Sequence, residues 1–450
     1  MSSIITPSTL SGFMELLPRE QVIFDKMKRV LEDTYELFGF YSIDTPILEK
    51  SEILLAKAGG ETEKQIYRFS KGDTDLTMRF DLTVPLAKYV AKNYGELTFP
   101  FKRYQIGKVY RGERAQRGRF REFYQADIDI IGDGNLGIIN DAEIPSIIYT
   151  VFTRLGLEDF TIRINNRKIL NGLFGMFDVA EHSADILHII DKIDKIGVEK
   201  VTAELCEIGI DADTVATILD LLCGNSDTAA ALAKLEGYLG KNEVFDAGFA
   251  ELSEVIRYIG KFGVPADNYK IDLTIARGLD YYTGTVYETT FNKHPEIGSI
   301  CSGGRYDNLA EFYTKNKLPG VGISIGLTRL FYILCEKEYL NMSKSYPADV
   351  LIIPMTEDVS RAVEISTVLR ENKIRTQIYP EKKKFKHMIS YADKLSIPYV
   401  IFLGESEIES ATVSIKNMTT GEQETVSLET AVATLRESIE ADDDSKCIVF

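Results

Sequence analysis

The 450-residue sequence predicts an α+β protein: an antiparallel sheet core flanked by helices, a helical insertion within it, and a C-terminal α/β domain. Three observations predict this. Residues 101–110 and 120–131 alternate apolar and polar side chains on either side of a polar turn, the pattern of an antiparallel hairpin. Between about residues 168 and 260 the composition moves to Leu, Ala, Asp and Lys at helical spacing. After Tyr346 and Pro347, short apolar runs alternate with amphipathic stretches, which implies a separate layered domain.

In order along the chain, Val22, Ile23, Met27, Val30, Leu31 and Leu37 recur at helical spacing, so residues 19–38 read as an amphipathic helix ended by Gly39. A strand is expected over residues 41–47. The hairpin 101–131 carries the turn 112–118 at its tip. Asp211 to Leu222 and Thr228 to Leu239 are the clearest helices of the insertion. The last domain should run strand 350–353, helix 359–372, strand 375–379, helix 386–395 and strand 399–403. The expected division is 1–167 and 263–340 for the two parts of the core, 168–262 for the insertion and 347–450 for the terminal domain.

The formal charge of −16 argues against a bulk electrostatic binder of duplex nucleic acid. Five scattered cysteines without CxxC spacing indicate neither a disulfide framework nor a zinc knuckle, and the simplest setting is a reduced cytoplasm. No basic region followed by an apolar stretch opens the chain, and no run approaches ~18 apolar residues, so neither secretion nor a membrane is expected. The four histidines show no ligand spacing, and no metal site is expected. Against this acidic background residues 101–121 hold eight Lys or Arg and one acid, Glu113. Arginine's planar fork matches phosphate oxygens, so this reversal suggests a phosphate site.

Four segments in order, over nearly the whole chain, carry a resemblance to the class II aminoacyl-tRNA synthetases, and within them to the histidine-specific family. They are Gly39-Phe40 with Thr45-Pro46-Ile47-Leu48-Glu49; Arg111-Gly112-Glu113 with Arg119-Phe120-Arg121-Glu122-Phe123-Tyr124-Gln125; Ala276 to Gly284 (ARGLDYYTG); and Gly320 to Leu330. Asp81-Leu82-Thr83 and Ser302-Gly303-Gly304-Arg305-Tyr306-Asp307 complete the set. The resemblance implies a homodimer that joins L-histidine to tRNA(His) through an adenylate made from ATP, with Mg2+ accompanying ATP.

The resemblance also implies roles. Carboxylate attack on the α-phosphate gathers negative charge at phosphorus, which positioned cations stabilise. Arg111 and Arg277 would flank that phosphate, Arg329 and Arg119 would take the triphosphate, and Glu113 and Phe123 would frame the adenine. Asp81, Thr83 and Gln125 offer acceptors for the ammonium of histidine, with Leu82 beside them. Asp129, Tyr281 and Tyr282 suit an imidazole, which when neutral is both donor and acceptor. Arg114 and Gln116 match positions near the acceptor end of tRNA. Lys382, Lys383 and Lys384, beside Phe385, open a segment that resembles an anticodon-binding domain, where cations hold phosphates and an aromatic stacks a base. Thr328 stands where the family usually has Glu. A histidine-sensing regulatory relative would lack the last domain and the ATP-site arginines, and a plain tRNA-binding module would leave Asp81, Gln125 and Asp129 unexplained.

Overall fold

The protein is described by a computed structural model covering residues 4–56, 65–114, 116–190, 192–223, 227–275, 282–342, 345–379, 381, 383–443 and 447–448. Arg277, Tyr281 and Lys382 lie outside the described residues. The chain forms two units, 1–15 with 28–338, and 16–27 with 339–450.

The helix Pro18–Leu37 buries Ile23, Phe24, Met27, Leu31 and Tyr35, and stops where Gly39 adopts φ +77, a backbone that side chains with a Cβ rarely adopt. The strand expected over 41–47 is cut short. Only β1 (Tyr41–Ser42) joins the main sheet, parallel to β5 (Phe101–Tyr110). Pro46 has no N–H for a ladder, and the side chains of Asp44 and Thr45 are engaged by Arg79 and Gln105. The chain then enters a separate three-stranded sheet, β2 (Leu48–Lys50), β4 (Thr74–Met78) and β3 (Arg68–Lys71), in that spatial order.

The main sheet has eight strands. β6 (Glu122–Ile131) pairs antiparallel with β5 along all ten residues, as the hairpin pattern predicts, and β7 (Phe160–Asn166), β8 (Tyr269–Ile271), β9 (Thr285–Phe291), β10 (Ser299–Tyr306) and β11 (Gly320–Ile325) complete it. The order is β1-β5-β6-β11-β10-β9-β7-β8, antiparallel except at the two ends. Register fixes one face: Arg103, Gln105 and Gly107 lie opposite Asp129, Asp127 and Gln125 on β6, and Asp129 and Asp127 in turn lie opposite Gly322 and Ser324 on β11. Because side chains alternate with period two, Gln125, Asp127 and Asp129 share that face.

At one end of this face the helix Thr83–Lys92 packs Val84, Leu86, Ala87 and Val90 with Phe101, Ile131 and Tyr306. Elsewhere in the unit, a buried Arg305 forks onto Asp141, with Nε to Oδ1 at 3.0 Å and Nη2 to Oδ2 at 2.5 Å, and Tyr287 donates to the Asp141 carbonyl at 2.7 Å. That network ties the helix Ile139–Leu155 to β9 and β10. Between β7 and β8 the described elements are helical, from Arg167–Met176 through Glu243–Lys261. The last of these also packs on the helix Ile139–Leu155 and on β7.

The second unit holds a five-stranded sheet, β13 (Thr376–Ile378), β12 (Val350–Pro354), β14 (Tyr399–Leu403), β15 (Thr412–Asn417) and β16 (Gln423–Ser427), in that order. Val350, Ile352, Ile401 and Leu403 face the helices Ser360–Glu371 and Leu428–Asp443; Leu351, Ile353 and Val400 face Met388 and Ala392 of the helix Phe385–Leu395. The parallel part follows the strand–helix alternation of the sequence. The antiparallel β15–β16 extension lies beyond what that alternation foresees.

Candidate active site

The shared face of β6 and β11 floors a cavity of about 440 Å³, lined among others by Asp81, Thr83, Arg111, Glu113, Arg119, Phe123, Gln125, Asp127, Asp129, Tyr282, Ser324 and Arg329. Most of the residues proposed from sequence therefore converge on one space. Of the eight cations in 101–121, only Arg111 and Arg119 line it. Lys102 pairs with Glu143, Lys108 with Glu122 and Arg117 with Glu336, while Arg103 is buried beneath it. Alternation along β5 sends neighbouring cations to opposite faces, so the local charge reversal overstates the phosphate patch.

At the mouth, Arg111 donates from Nε to the Phe80 carbonyl at 3.0 Å, and its guanidinium lies over the Phe123 ring at 5.2 Å. Arg119 and Glu113 approach to 3.7 Å. Arg329 donates to the Ile297 carbonyl. Thr328 Oγ1 accepts the Tyr124 N–H at 2.8 Å, so this departure from the usual motif braces β6. Arg114 and Gln116 are exposed at the hairpin tip, with Gln116 bridged to Arg119. In the other unit Lys383 meets Glu381 at 2.5 Å, and Lys384 is exposed immediately before the helix Phe385–Leu395.

The floor is acidic. Asp81 Oδ1 caps the helix Thr83–Lys92 by accepting the Val84 N–H at 3.1 Å, and Oδ2 is buried without a hydrogen-bond partner. Burial pushes this carboxyl up to about 6, against the Val84 hydrogen bond and the positive charges of Arg111 and Arg103. Gln125 Nε2 donates to Ser324 Oγ at 2.7 Å, leaving Oε1 buried and unpartnered. Asp129 meets Arg103 Nη2 at 2.5 Å and accepts from Tyr306 Oη at 2.5 Å, and burial raises its pKa despite both partners. Leu82 is wholly buried; its carbonyl accepts from Arg103 at 3.1 Å, so it contributes main chain. Tyr282 lines the cavity just before β9.

Four residues of the site receive no role in the motif-based reading: Arg103, Asp127, Tyr306 and Ser324, although Tyr306 and Ser324 stand within the quoted segments. Asp127 is buried, lines the cavity and is pushed up to about 7, chiefly by burial, with Arg103 opposing and Asp129 adding repulsion. Strand alternation from Gln125 and Asp129 was the available signal for it. Gly322 permits the crowding on this floor: a Cβ there would stand 2.3 Å from Asp129 Oδ1.

An acidic floor beneath a cationic mouth can hold a zwitterion with its ammonium inward while phosphates gather above. Comparison with known proteins bears on which zwitterion. Residues 12–330 match the family described as histidyl-tRNA synthetase, and residues 349–438 match the anticodon binding domain. A histidine–tRNA ligase of Clostridium tetani is 56% identical over 434 residues, 96% of this chain and 99% of that one. The crystal structure of histidyl-tRNA synthetase from Nostoc superposes with a TM-score of 0.91 at 38% identity, covering 97% and 100% of the two chains. A Bacillus halodurans structure titled as an ATP phosphoribosyltransferase regulatory subunit/histidyl-tRNA synthetase shares the fold, with a TM-score of 0.74 at 20% identity over 89% and 99%.

Proposed function

The chain belongs to the histidyl-tRNA synthetase family, and from that premise we propose that it activates L-histidine with ATP, releasing pyrophosphate, and passes the histidyl group to the 3′ end of tRNA(His). The observation that carries the reading is the set of buried acceptors, Asp81 Oδ2 and Gln125 Oε1, in the same cavity as Asp129 and Arg111.

In this reading the ammonium of histidine donates hydrogen bonds to Asp81, Thr83 and Gln125, satisfying the oxygens of Asp81 and Gln125 that burial otherwise strands. Asp129, held by Arg103 and Tyr306, faces one imidazole nitrogen, and Tyr281 or Tyr282 the other. Arg111 binds the histidine carboxylate and the α-phosphate, and Arg277 takes the opposite side of that phosphate. In this reading both neutralise charge that grows as the carboxylate oxygen bonds phosphorus and pyrophosphate departs. Arg329 and Arg119 hold the leaving phosphates, and Glu113 and Phe123 frame the adenine. The cavity also offers the carboxylates of Glu113 and Glu288, so it suits an ATP whose phosphates carry Mg2+. That ion supplies charge neutralisation on the phosphates.

The tRNA would be met by Arg114 and Gln116 near its acceptor end, and by Lys382, Lys383, Lys384 and the half-exposed ring of Phe385 at the anticodon. A homodimer is supported by Leu37 and Tyr41, 73% and 71% exposed, with Ile47 and Leu48 also exposed, around edge strand β1. A cytoplasmic setting suits a role in translation and the free thiols of Cys206, Cys301 and Cys447. Among the described residues no helix is long and apolar enough to cross a membrane.

The decisive experiment is histidine-dependent exchange of labelled pyrophosphate into ATP without tRNA, with the other amino acids as controls. Exchange with histidine alone is expected. Tight histidine binding without exchange would overturn the enzymatic reading in favour of a histidine sensor.

A further inference from the structure

Gly320 and Gly322 leave β11 without side chains at two positions of the face that carries Asp129. Glycine weakens a strand interior, and its use there marks a close approach by another group. Gly320 pairs with Tyr306 on β10 and with Ile131 on β6, and Gly322 pairs with Asp129 on β6. A Cβ on Gly320 would strike the Tyr306 ring at Cε2 and Cζ, and a Cβ on Gly322 would strike the Asp129 carboxylate. The two missing side chains make one trough across β11.

Tyr306 fills that trough. Its ring lies over Gly320 and is 2% exposed, and its Oη donates to Asp129 Oδ1 at 2.5 Å. β10 and β6 are separated by β11, and a ring crosses that strand only where the strand carries no side chain. From β5, Arg103 Nη2 stands 2.5 Å from the other oxygen, Oδ2. The carboxylate is gripped at both oxygens from two directions, which leaves it one orientation. Each carboxylate oxygen has more than one lone-pair site, so the grip keeps the acceptor capacity that an imidazole N–H needs.

We propose that Tyr306 is a positioning residue that determines specificity for histidine: seated over Gly320, it holds Asp129 so that the carboxylate accepts an imidazole N–H. This deepens the function proposed above and rests on its assignment of Asp129 to the imidazole. A carboxylate fixed in this way rewards a ring N–H at one place, and a ring without one leaves a buried acceptor unanswered. Without the Tyr306 hydroxyl the carboxylate is free to turn about its Cβ–Cγ bond, and the imidazole N–H meets its oxygens off line.

Tyr306 also lines the cavity, so its hold on Asp129 has to be separated from direct contact with the substrate. Histidine-dependent pyrophosphate exchange would be measured on the full-length chain and on its Tyr306→Phe, Asp129→Ala and double variants. Thienylalanine, which keeps the ammonium and the carboxylate but has no ring N–H, would serve as a competitor. Tyr306→Phe keeps the ring over Gly320 and removes only the hydroxyl. It is expected to raise the KM for histidine about tenfold, the scale of one hydrogen bond to a charge, with kcat within about threefold. The KM for ATP and the inhibition constant of thienylalanine should stay within about twofold, since neither draws on the Asp129 acceptor. In the Asp129→Ala background the same change should lower kcat/KM for histidine by less than about twofold more. A histidine KM unmoved by Tyr306→Phe would overturn the proposal, and equal weakening of histidine and thienylalanine would overturn it in favour of general packing. A loss of about tenfold persisting without Asp129 would overturn it in favour of direct contact with the substrate. Retained constants for thienylalanine and ATP show that a variant is folded, and Asp129→Asn replaces Asp129→Ala in the cycle if the latter lacks them. If both changes at Asp129 leave kcat/KM for histidine unchanged, the underlying assignment of the imidazole fails instead.

Discussion

Replacing Asp127 with Asn should stabilise the unliganded protein at alkaline pH. The side chain is 1% exposed, and its carboxyl is pushed up to about 7 from an ordinary 3.8, first by burial. In the unfolded chain the same group titrates near its ordinary value. The folded state therefore holds the proton more tightly. Its contribution to stability is fully present below about 3.8 and is lost as pH rises through about 7. At 1.36 kcal/mol per pH unit the loss reaches about 4 kcal/mol by pH 8. Asn fills a similar volume and has no proton to lose, while Arg103 keeps Asp129 as its partner.

For a cooperative unit of roughly 300 residues, about 4 kcal/mol corresponds to about 6 °C in melting temperature. Melts of both proteins at one concentration, taken from pH 4 to pH 8 without ligand, should diverge as pH rises, with Asp127→Asn higher by up to that amount. Asp81→Asn gives an internal control with a different window, centred on about 6 and worth about 3 kcal/mol. Parallel curves for Asp127→Asn and the parent would refute the reasoning, because the proton would then reside elsewhere.

Gly322→Ala should lower stability by about 1–3 kcal/mol and histidine affinity by more than tenfold, since the new Cβ meets both Asp129 Oδ1 and the Ile128 carbonyl at 2.3 Å. Melting and calorimetry read the two effects, and unchanged affinity would remove Asp129 from the pocket. Arg277→Ala should cause a large loss of pyrophosphate exchange with histidine binding mostly kept; an equal loss in calorimetry would sink its role at the phosphate. Thr328→Ala should strip the Tyr124 N–H of its 2.8 Å acceptor, costing about 1–3 kcal/mol of stability, with exchange kcat within about twofold. A collapse of kcat at unchanged stability would place Thr328 in the ATP chemistry.

The hairpin 101–131 and the helix ending at Gly39 were legible because both rest on local periodicity and one punctuating residue. The strand over 41–47 was misjudged because its apolar alternation is real, but Asp44 and Thr45 spend their side chains on Arg79 and Gln105 from other segments. No local rule reports such tertiary bonds. The candidate pocket divides in the same way. Asp81 and Gln125 stand in motifs and Asp129 owes its role to the resemblance, whereas Asp127 needed only the observation that it lies on the same strand face. Arg103 was harder to place, since counting charges along the chain assigns it to the phosphate patch while strand alternation turns it inward beneath the amino-acid site. Ser324 acquires meaning only from the β6–β11 register, which pairs residues almost two hundred positions apart.

The floor of the cavity is costly by design of its charges. Asp81, Asp127 and Asp129 surround one fully buried guanidinium, Arg103, and burial raises the pKa of all three carboxyls. A pocket selected only for stability would replace some of them with apolar groups of similar volume. Keeping them leaves an excess of negative charge at depth, with Arg111, Arg119 and Arg329 at the mouth. In the reading proposed above, this acidic floor favours the ammonium of an amino acid and the cationic mouth its carboxylate, and an inverted substrate would bring its carboxylate against three acids. In that reading, stability given up at the floor becomes orientation at the reacting atoms, and Asp127→Asn is expected to recover part of that stability as pH rises.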